Sequence, residues 1–432
     1  MTTIAIEPLT QPFDRTFAPP GSKSLTNRAM VLAALSNGTC RLTGALFADD
    51  TRVMIDGLKQ LGFDVSADEA KQEIVIVGQN GTIPSSSAKI FCGNSGTTIR
   101  FLAALCALGK GEYVLDGIPR MRERPIGPLV AMLRNLGVRV EHTMRDGYPP
   151  VRILADGLPG GLVKYGSETS SQYLSSILQI APFARNELQV SLVGRQTSWP
   201  YIVMSMQLMD RFHHLCELER DENTGDPRKI IVPQGNYVLD HYPVEPDASN
   251  ATYFLALAAL HPGSKVTIEG LGKRSLQGDV GFADVLHQMG AVLTFGKDFI
   301  TIIGPEKLVG IDVNLSDMPD TAQTLAVVAL FADGPTTMRG LHTLRVKETD
   351  RLAALENELT RLGAEVEIED DTLTVHPPER LKVTSIDTYD DHRMAMSFAL
   401  AGTKSPGVKI NDPACVNKTY PGYFDDLKSF YA

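Results

Sequence analysis

The chain reads as an α/β protein of two domains, each built from three copies of one strand-and-helix unit. Three observations predict this. Its 432 residues exceed what a single hydrophobic core usually supports, and 43% hydrophobic with 21% charged residues is an ordinary globular composition. A small apolar helix, a short Gly or polar loop, and a strand closing near Gly or Asp recur six times. A helix ended by glycine and followed by a strand recurs inside most of those copies.

The six copies are VLAALSNGTCRLTGAL, LAALCALGKGEYVLDGIP, SSILQIAPFARNELQVSLVG, LALAALHPGSKVTIEGLG, LAVVALFADGPTTMRGLH and SFALAGTKSPGVKINDPA. Their strands close at Gly44, Gly117, Gly194, Gly270, Gly340 and Asp412, about 70–77 residues apart, a period that suits a small βαβ-type module. Inside them, LKQLGFDV, MLRNLGVRV, VLHQMGAVLTF and ELTRLGAEVEI each put glycine where a helix ends and a strand begins. LMDRFHHLCELE fills the same place in the third copy without the glycine. Each unit thus reads strand, helix, strand, helix, strand, with room for one more strand. NYVLDHYPVEPDASNATYF, between the third and fourth copies, carries prolines and polar residues and reads as a linker. Pro19-Pro20 marks another crossing.

Bulk charge excludes several function classes. A formal net charge of -10 opposes general nucleic-acid or acidic-membrane binding, although a local basic pocket remains compatible with it. Cys40, Cys92, Cys106, Cys216 and Cys415 are odd in number and spread out, which argues against a disulfide framework or a zinc site and suits a reducing cytoplasm. The opening MTTIAIEPLTQPFDR lacks a secretory pattern, and no apolar run approaches the roughly 18 residues of a membrane span. Neither a metal-ligand spacing nor a nucleotide fingerprint is seen, so no cofactor is expected.

Polar clusters sit at corresponding ends of the units. In PPGSKSLTNRAM, Lys23 stands at the start of an apolar helix, where the macrodipole favours an anion. A lysine there is explained if an anion joins it, as in phosphate sites built from backbone N–H groups and cations. GNSGTTIR feeds a second apolar helix and could cradle a phosphate or carboxylate, though it is not a P-loop. PRMRERP crowds Arg120, Arg122 and Arg124, which repel unless anions intervene. LRVKETDR sets Lys347 and Arg351 around Glu348, and YDDHRMAM puts Asp390, Asp391, His392 and Arg393 before the helix of the sixth copy. SDMPDTAQTLAVV brings Asp317 and Asp320, SETSSQYLSS brings Ser170, Ser171 and Gln172, and CVNKTYPGYF brings Lys418. Lys23, Arg28, Arg100, Arg124, Lys347, Arg351, Arg393 and Lys418 together call for a ligand with several negative charges. Asp320, Glu348 and His392 are the acid–base groups among them.

GSKSLTNR, GNSGTTIRFL, RERPIGPL, SSQY, RVKETDRL, DDHRMAM and KTYPGYF, in this order, resemble the 5-enolpyruvylshikimate-3-phosphate synthase family over essentially the whole chain. RVKETDR and DHRMA are the most specific of these. The resemblance implies a two-domain inside-out α/β barrel, each domain three βαβαββ units. The first domain would be 21–240 and the second 1–20 with 241–432, with the substrates bound in the cleft. It implies two small-molecule substrates, shikimate 3-phosphate and phosphoenolpyruvate, and a monomeric cytoplasmic enzyme. The implied shikimate-phosphate contacts are Lys23, Ser24, Arg28, Ser170, Ser171, Gln172, Ser198, Tyr201, Asp320, Thr343 and Lys347. The implied phosphoenolpyruvate contacts are Lys23, Asn94, Gly96, Arg124, Gln172, Arg351, Arg393 and Lys418. Lys23, Asp320, Glu348 and His392 are the implied catalytic groups of an addition and elimination.

Two positions depart from the family pattern. Thr343 stands where some members have asparagine, and Phe101 follows Arg100 where proline is frequent. The sibling family that acts on UDP-N-acetylglucosamine is set aside because the opening motif reads Lys23-Ser24 rather than Lys-Asn, and no cysteine lies near Arg120–Arg124. A non-catalytic anion-binding protein of the same fold would be expected to lose the acid–base groups present here.

Overall fold

The structure is a computed structural model that describes residues 2–166 and 168–431. Ser167, at the head of SETSSQYLSS, lies outside the described residues, as do the terminal Met1 and Ala432. The chain divides into two compact units, Gly21–Val244 and Met1–Pro20 with Glu245–Ala432. The return thus falls after Val244 rather than after 240, because His241–Pro243 pairs in parallel with Arg41–Thr43 of the first unit.

The Gly21–Val244 unit holds α1 (Lys23–Leu35), α2 (Asp49–Gln60), α3 (Gly96–Cys106), α4 (Gly127–Asn135), α5 (Gln172–Ile180) and α6 (Trp199–Arg211). Its strands form three four-stranded sheets of one design. In the second, Ser87–Phe91 runs parallel to Lys110–Asp116, which pairs antiparallel with Val151–Asp156, which pairs antiparallel with Arg139–His142. Asn37–Thr43 and Leu188–Leu192 occupy the place of Lys110–Asp116 in the first and third sheets. The chain order within the second repeat is therefore βαβαββ.

The other unit holds α7 (Ala248–Leu260), α8 (Phe282–Gln288), α9 (Ala322–Ala329), α10 (Arg351–Arg361), α11 (His392–Lys404) and α12 (Tyr423–Lys428). Two of its sheets, centred on Lys265–Glu269 and Thr336–Arg339, repeat the same order. Besides a two-stranded pairing of Leu308–Val309 with Ala332–Asp333, a further sheet is shorter. Ser385–Ile386 runs parallel to Lys409–Asn411, whose other edge is taken by Thr3–Ala5 in antiparallel register. The N-terminal segment therefore serves two sheets: Thr3–Ala5 completes the last repeat and Asp14–Phe17 opens the fourth.

Helices lie inside and sheets outside in each unit. Every residue of α3 and α7 is buried, as is α1 from Leu25 onward. A helix buried all round needs apolar and small residues on every face, as the run AMVLAAL in α1 shows. The outer helix α2 instead buries Met54, Ile55 and Leu58 on one side. The strands alternate, with Ile74 and Ile76 of Glu73–Gln79 fully buried. This is the inside-out arrangement that the family resemblance implies. The sheets stay separate, and among the described residues they do not join into one closed barrel.

The N-terminal segment also lies against α11. Ile6 N–H donates to the Val408 carbonyl at 3.1 Å, and a Cβ added at Gly402 would come within 2.4 Å of the Ile6 Cβ. Alanine is the better helix former by about 1 kcal/mol, yet the clash with an anchored backbone costs about 1–3 kcal/mol. Gly402→Ala is expected to lower stability by about 1–2 kcal/mol in urea unfolding; a variant as stable as the parent would show that this close approach is easily relaxed.

Candidate active site

In the Gly21–Val244 unit the polar clusters gather at the N-terminal ends of the inner helices. Ser22 caps α1, its hydroxyl accepting from Leu25 N–H. Lys23, the first helical residue, reaches the buried Asp50 carboxylate of α2 at 3.3 Å. Ser24 gives its carbonyl to Arg28. Arg28 is fully buried, and its described partners are all neutral. Nε donates to Ser205 Oγ at 2.8 Å, Nη2 to Ser175 Oγ and the Tyr201 carbonyl, and Nη1 to Ser24 O at 3.1 Å. The guanidinium lies 5.2 Å from the Phe101 ring centre, a cation–π contact. Burial pushes its pKa down to about 10, with Tyr201 working the other way.

α3 begins at Gly96 behind its cap Ser95. A Cβ at Gly96 would stand 2.7 Å from Arg124 Nη2 and 3.3 Å from Arg100 Nη1, so any side chain there would force the two guanidinia to shift. Arg124 Nη1 donates to the Asn94 carbonyl at 2.8 Å and to its side-chain oxygen at 3.2 Å. Arg100 Nη1 donates to Gln172 Oε1 at 2.6 Å and to Ser170 Oγ at 3.3 Å, while Gln172 Nε2 donates to Thr97 Oγ1. The Gln172 amide is thereby fixed between α3 and α5. Ser171 is the residue before α5 and is buried. Ser198, before α6, holds a left-handed backbone (φ 51°), and its carbonyl accepts from Tyr201 N–H. Ser175, within SETSSQYLSS, and Ser205, in no motif, hold Arg28 without having been singled out; hydroxyls on otherwise buried helix faces were their signal.

In the other unit, Arg351 organises the cluster. It is 1% exposed and opens α10 behind the cap Asp350. Its Nε donates to Asp391 Oδ2 at 2.7 Å, Nη2 to Glu348 Oε2 at 2.9 Å and Asp391 Oδ1 at 3.2 Å, and Nη1 to Asp320 Oδ1 at 3.1 Å. Burial works against this charge, but Asp391, Glu348 and Asp320 outweigh it and hold the guanidinium well above its ordinary pKa. Asp320 also meets Lys347 Nζ at 3.2 Å and Arg393 Nη2 at 2.9 Å. Lys418 Nζ lies 4.0 Å from Glu348 Oε1. Burial, with the neighbouring Arg351 charge adding to it, lowers the Lys347 pKa against the pull of Asp320.

Asp391 caps α11, its Oδ1 accepting from Arg393 N–H at 2.9 Å and lying 3.6 Å from His392 Nδ1. His392 is 1% exposed, so it acts within this buried group. Thr343 lies in the short helix His342–Val346, and its buried hydroxyl has no hydrogen-bond partner among the described residues. The sequence reading placed Asp391 in a polar cluster without giving it a role, and it overlooked Asp279 and Tyr253. Tyr253 OH accepts from Arg393 Nη1 at 3.4 Å, and Asp279 accepts a short hydrogen bond from Ser249. Among the described residues no group of His, Cys, Asp or Glu is arranged to hold a metal ion.

Asp279 is buried, and burial together with repulsion from Asp320 pushes its pKa up to about 6 against the Ser249 hydrogen bond. A carboxylate held above its unfolded pKa binds its proton more tightly in the folded state. Folding stability from this group is therefore complete below about pH 4 and falls as pH rises through 6. Asp279→Asn is expected to flatten that slope and to raise stability at pH 7 by up to about 3 kcal/mol. Thermal unfolding of both proteins between pH 4.5 and 7.5 checks this, and parallel profiles would rule it out.

The family comparison agrees with this architecture. A family model described as EPSP synthase (3-phosphoshikimate 1-carboxyvinyltransferase) matches residues 10–427. The chain is 46% identical over 413 residues to 3-phosphoshikimate 1-carboxyvinyltransferase of Sulfurovum sp. (strain NBC37-1), covering 95% of each chain. It is 46% identical over 428 residues to the chloroplastic 3-phosphoshikimate 1-carboxyvinyltransferase of Arabidopsis thaliana, covering 95% of this chain and 81% of that one. Among solved structures, EPSP synthase from Acinetobacter baumannii superposes with a TM-score of 0.80 at 26% identity, covering 99% of this chain and 98% of that one. Sequence and architecture together place the chain in the EPSP synthase (3-phosphoshikimate 1-carboxyvinyltransferase) family.

Proposed function

We propose that this protein transfers the enolpyruvyl group of phosphoenolpyruvate to the 5-hydroxyl of shikimate 3-phosphate and releases phosphate. The observation that carries the reading is the double pairing on Arg351. One guanidinium holds three carboxylates, and two of them, Asp320 and Glu348, each have a lysine, Lys347 at 3.2 Å and Lys418 at 4.0 Å. That is two separate carboxylate–ammonium pairs, and the reaction moves two protons, one from oxygen and one at carbon.

In the addition step the 5-oxygen bonds to C2 of phosphoenolpyruvate, the hydroxyl proton passes to Asp320, and C3 gains a proton. In the elimination step the C2–O bond to phosphate breaks, the departing phosphate takes the proton held by Asp320, and C3 loses a proton, so the double bond returns. Glu348 serves C3 in both steps, and Lys23 is a further proton-transfer group. The fixed guanidinia and ammonium groups stabilise the charge that shifts onto phosphate and carboxylate, the kind of electrostatic contribution that is often the largest. Arg124, Arg351, Arg393 and Lys418, with Lys23, Asn94, Gly96 and Gln172, meet phosphoenolpyruvate. Ser24, Arg28, Ser170, Ser171, Gln172, Ser198, Tyr201, Thr343 and Lys347, with Lys23 and Asp320, meet shikimate 3-phosphate. Arg28 suits this role because its described partners leave its charge without a carboxylate, and an arriving anion supplies one. His392 orients the Asp391 end of the cluster. The reading is of a monomeric cytoplasmic enzyme that needs no metal.

Phosphate release from phosphoenolpyruvate is expected with shikimate 3-phosphate as acceptor and without added metal. Release only with UDP-N-acetylglucosamine would assign the sibling reaction instead. Glu348→Gln is expected to lower kcat by about 10²–10⁴-fold while KM for shikimate 3-phosphate stays within about threefold. A variant that keeps more than half of kcat would place the C3 proton elsewhere.

A further inference from the structure

Glu358 sits on α10 two turns beyond Arg351 and is fully buried. Its sequence setting, ENELTR, is that of an ordinary helical glutamate paired with Arg361 three residues on. The structure gives it more to do. Glu358 Oε1 accepts from the Tyr389 hydroxyl at 2.8 Å, and Oε2 accepts from the Asp387 backbone N–H at 3.2 Å. Arg361 Nη1 donates to both Glu358 oxygens and to Asp387 Oδ2 at 2.8 Å, and Asn411 Nδ2 donates to Asp387 Oδ1 at 2.7 Å.

These bonds fall on a turn that needs holding. Tyr389 and Asp390 are consecutive non-glycine residues in the left-handed region, with φ 55° and 53°. An aromatic residue rarely adopts that conformation, and it persists where surrounding contacts over-determine it. The next residue is Asp391, whose carboxylate takes Arg351 Nε and Nη2 and the Arg393 N–H. One helix therefore grips the same loop at two points, through Arg351 at its first turn and Glu358 about 10 Å further along its axis. The first grip holds only the Asp391 end of the loop, while Asn411 holds Asp387 from the neighbouring strand. The second fixes its direction, and with it the start of α11, which carries His392 and Arg393.

We propose that Glu358 is a positioning residue for phosphoenolpyruvate binding, acting through the Tyr389–Asp390 turn on Asp391, Arg351 and Arg393. The proposal rests on the reaction assigned above. Tyr389→Phe removes one hydroxyl and leaves the Glu358–Arg361–Asp387 bonds in place. It is expected to raise KM for phosphoenolpyruvate about five- to tenfold while KM for shikimate 3-phosphate stays within twofold. Glu358→Ala is expected to do the same more strongly. Glu358→Gln, which still accepts from Tyr389, is expected to stay within about threefold of the parent. Should Glu358→Ala not fold, Tyr389→Phe carries the test. Unchanged KM for phosphoenolpyruvate, equal rises in both KM values, or a lower Tm with unchanged kinetics would each overturn the proposal, since a merely structural role gives those results. Amide hydrogen exchange supplies a readout independent of turnover. Faster exchange confined to residues 387–393 in Tyr389→Phe is expected even if the parent protein fails to use shikimate 3-phosphate, so the reaction and the two-point grip fail separately. Unchanged exchange there would overturn the grip.

Discussion

A helix buried on every face must be largely apolar, so its polar side chains need partners inside the protein, and its first N–H groups still need partners too. That constraint shapes both units. α1, α3 and α5 in one, and α7, α9 and α11 in the other, are mostly apolar and carry polar residues at their starts. Ser22, Ser95, Asp247 and Asp391 cap four of them with side-chain oxygens. The partial positive charge of a helix start favours anions nearby. Six repeats therefore generate six polar, anion-favouring ends, and the chemistry of the protein is drawn from those ends and from the loops that feed them.

The two units use that common plan with opposite electrostatics. Arg28 is surrounded by hydroxyls, carbonyls and an aromatic ring, and burial weakens its hold on its proton. Arg351 is surrounded by carboxylates, which strengthen that hold. The first arrangement leaves a cation short of negative charge, so it favours binding an anionic substrate. The second is balanced internally, so it fixes carboxylates in place rather than binding through its own excess charge. A buried ion pair gains little net stability once desolvation is counted. In the proposed reaction the Arg351 group is geometry held for proton transfer, and the charge of Asp320 disfavours ionisation of the buried Asp279.

The repeat was legible because its signals are local. Glycine after LKQL or MLRN marks a helix end whether or not the rest of the chain is known. Thr3–Ala5 and His241–Pro243 were not legible as strands, because three residues carry no usable alternation. They are strands only because an edge of Lys409–Asn411 or Asn37–Thr43 is there to pair with. The site divides the same way. Lys347, Glu348 and Arg351 lie within five consecutive positions, and their charges read directly from the sequence. Asp391 to Arg351 spans forty positions, Ser205 to Arg28 spans 177, and no spacing rule links them. Glu358 is the clearest case, since its Arg361 neighbour supplies a sufficient local explanation that conceals its bonds to the 387–389 loop.

Phe101 and Thr343, the two departures from the family pattern, have different physical standing. Phe101 is 1% exposed inside α3 and faces the Arg28 guanidinium, so its ring replaces polar solvation with a π face at a cation that lacks a carboxylate partner. Proline at that position would offer no such face, and the Ser175 and Ser205 hydroxyls with the Ser24 and Tyr201 carbonyls would then carry Arg28. Thr343 is buried to nearly the same degree, but its hydroxyl meets no acceptor among the described residues. A buried donor in that condition is costly, and an acceptor on a ligand would remove the cost. The Phe101 ring thus tunes a cation already held by protein groups. The Thr343 hydroxyl is a free donor, and its contribution depends on the phosphate of the substrate proposed to bind there.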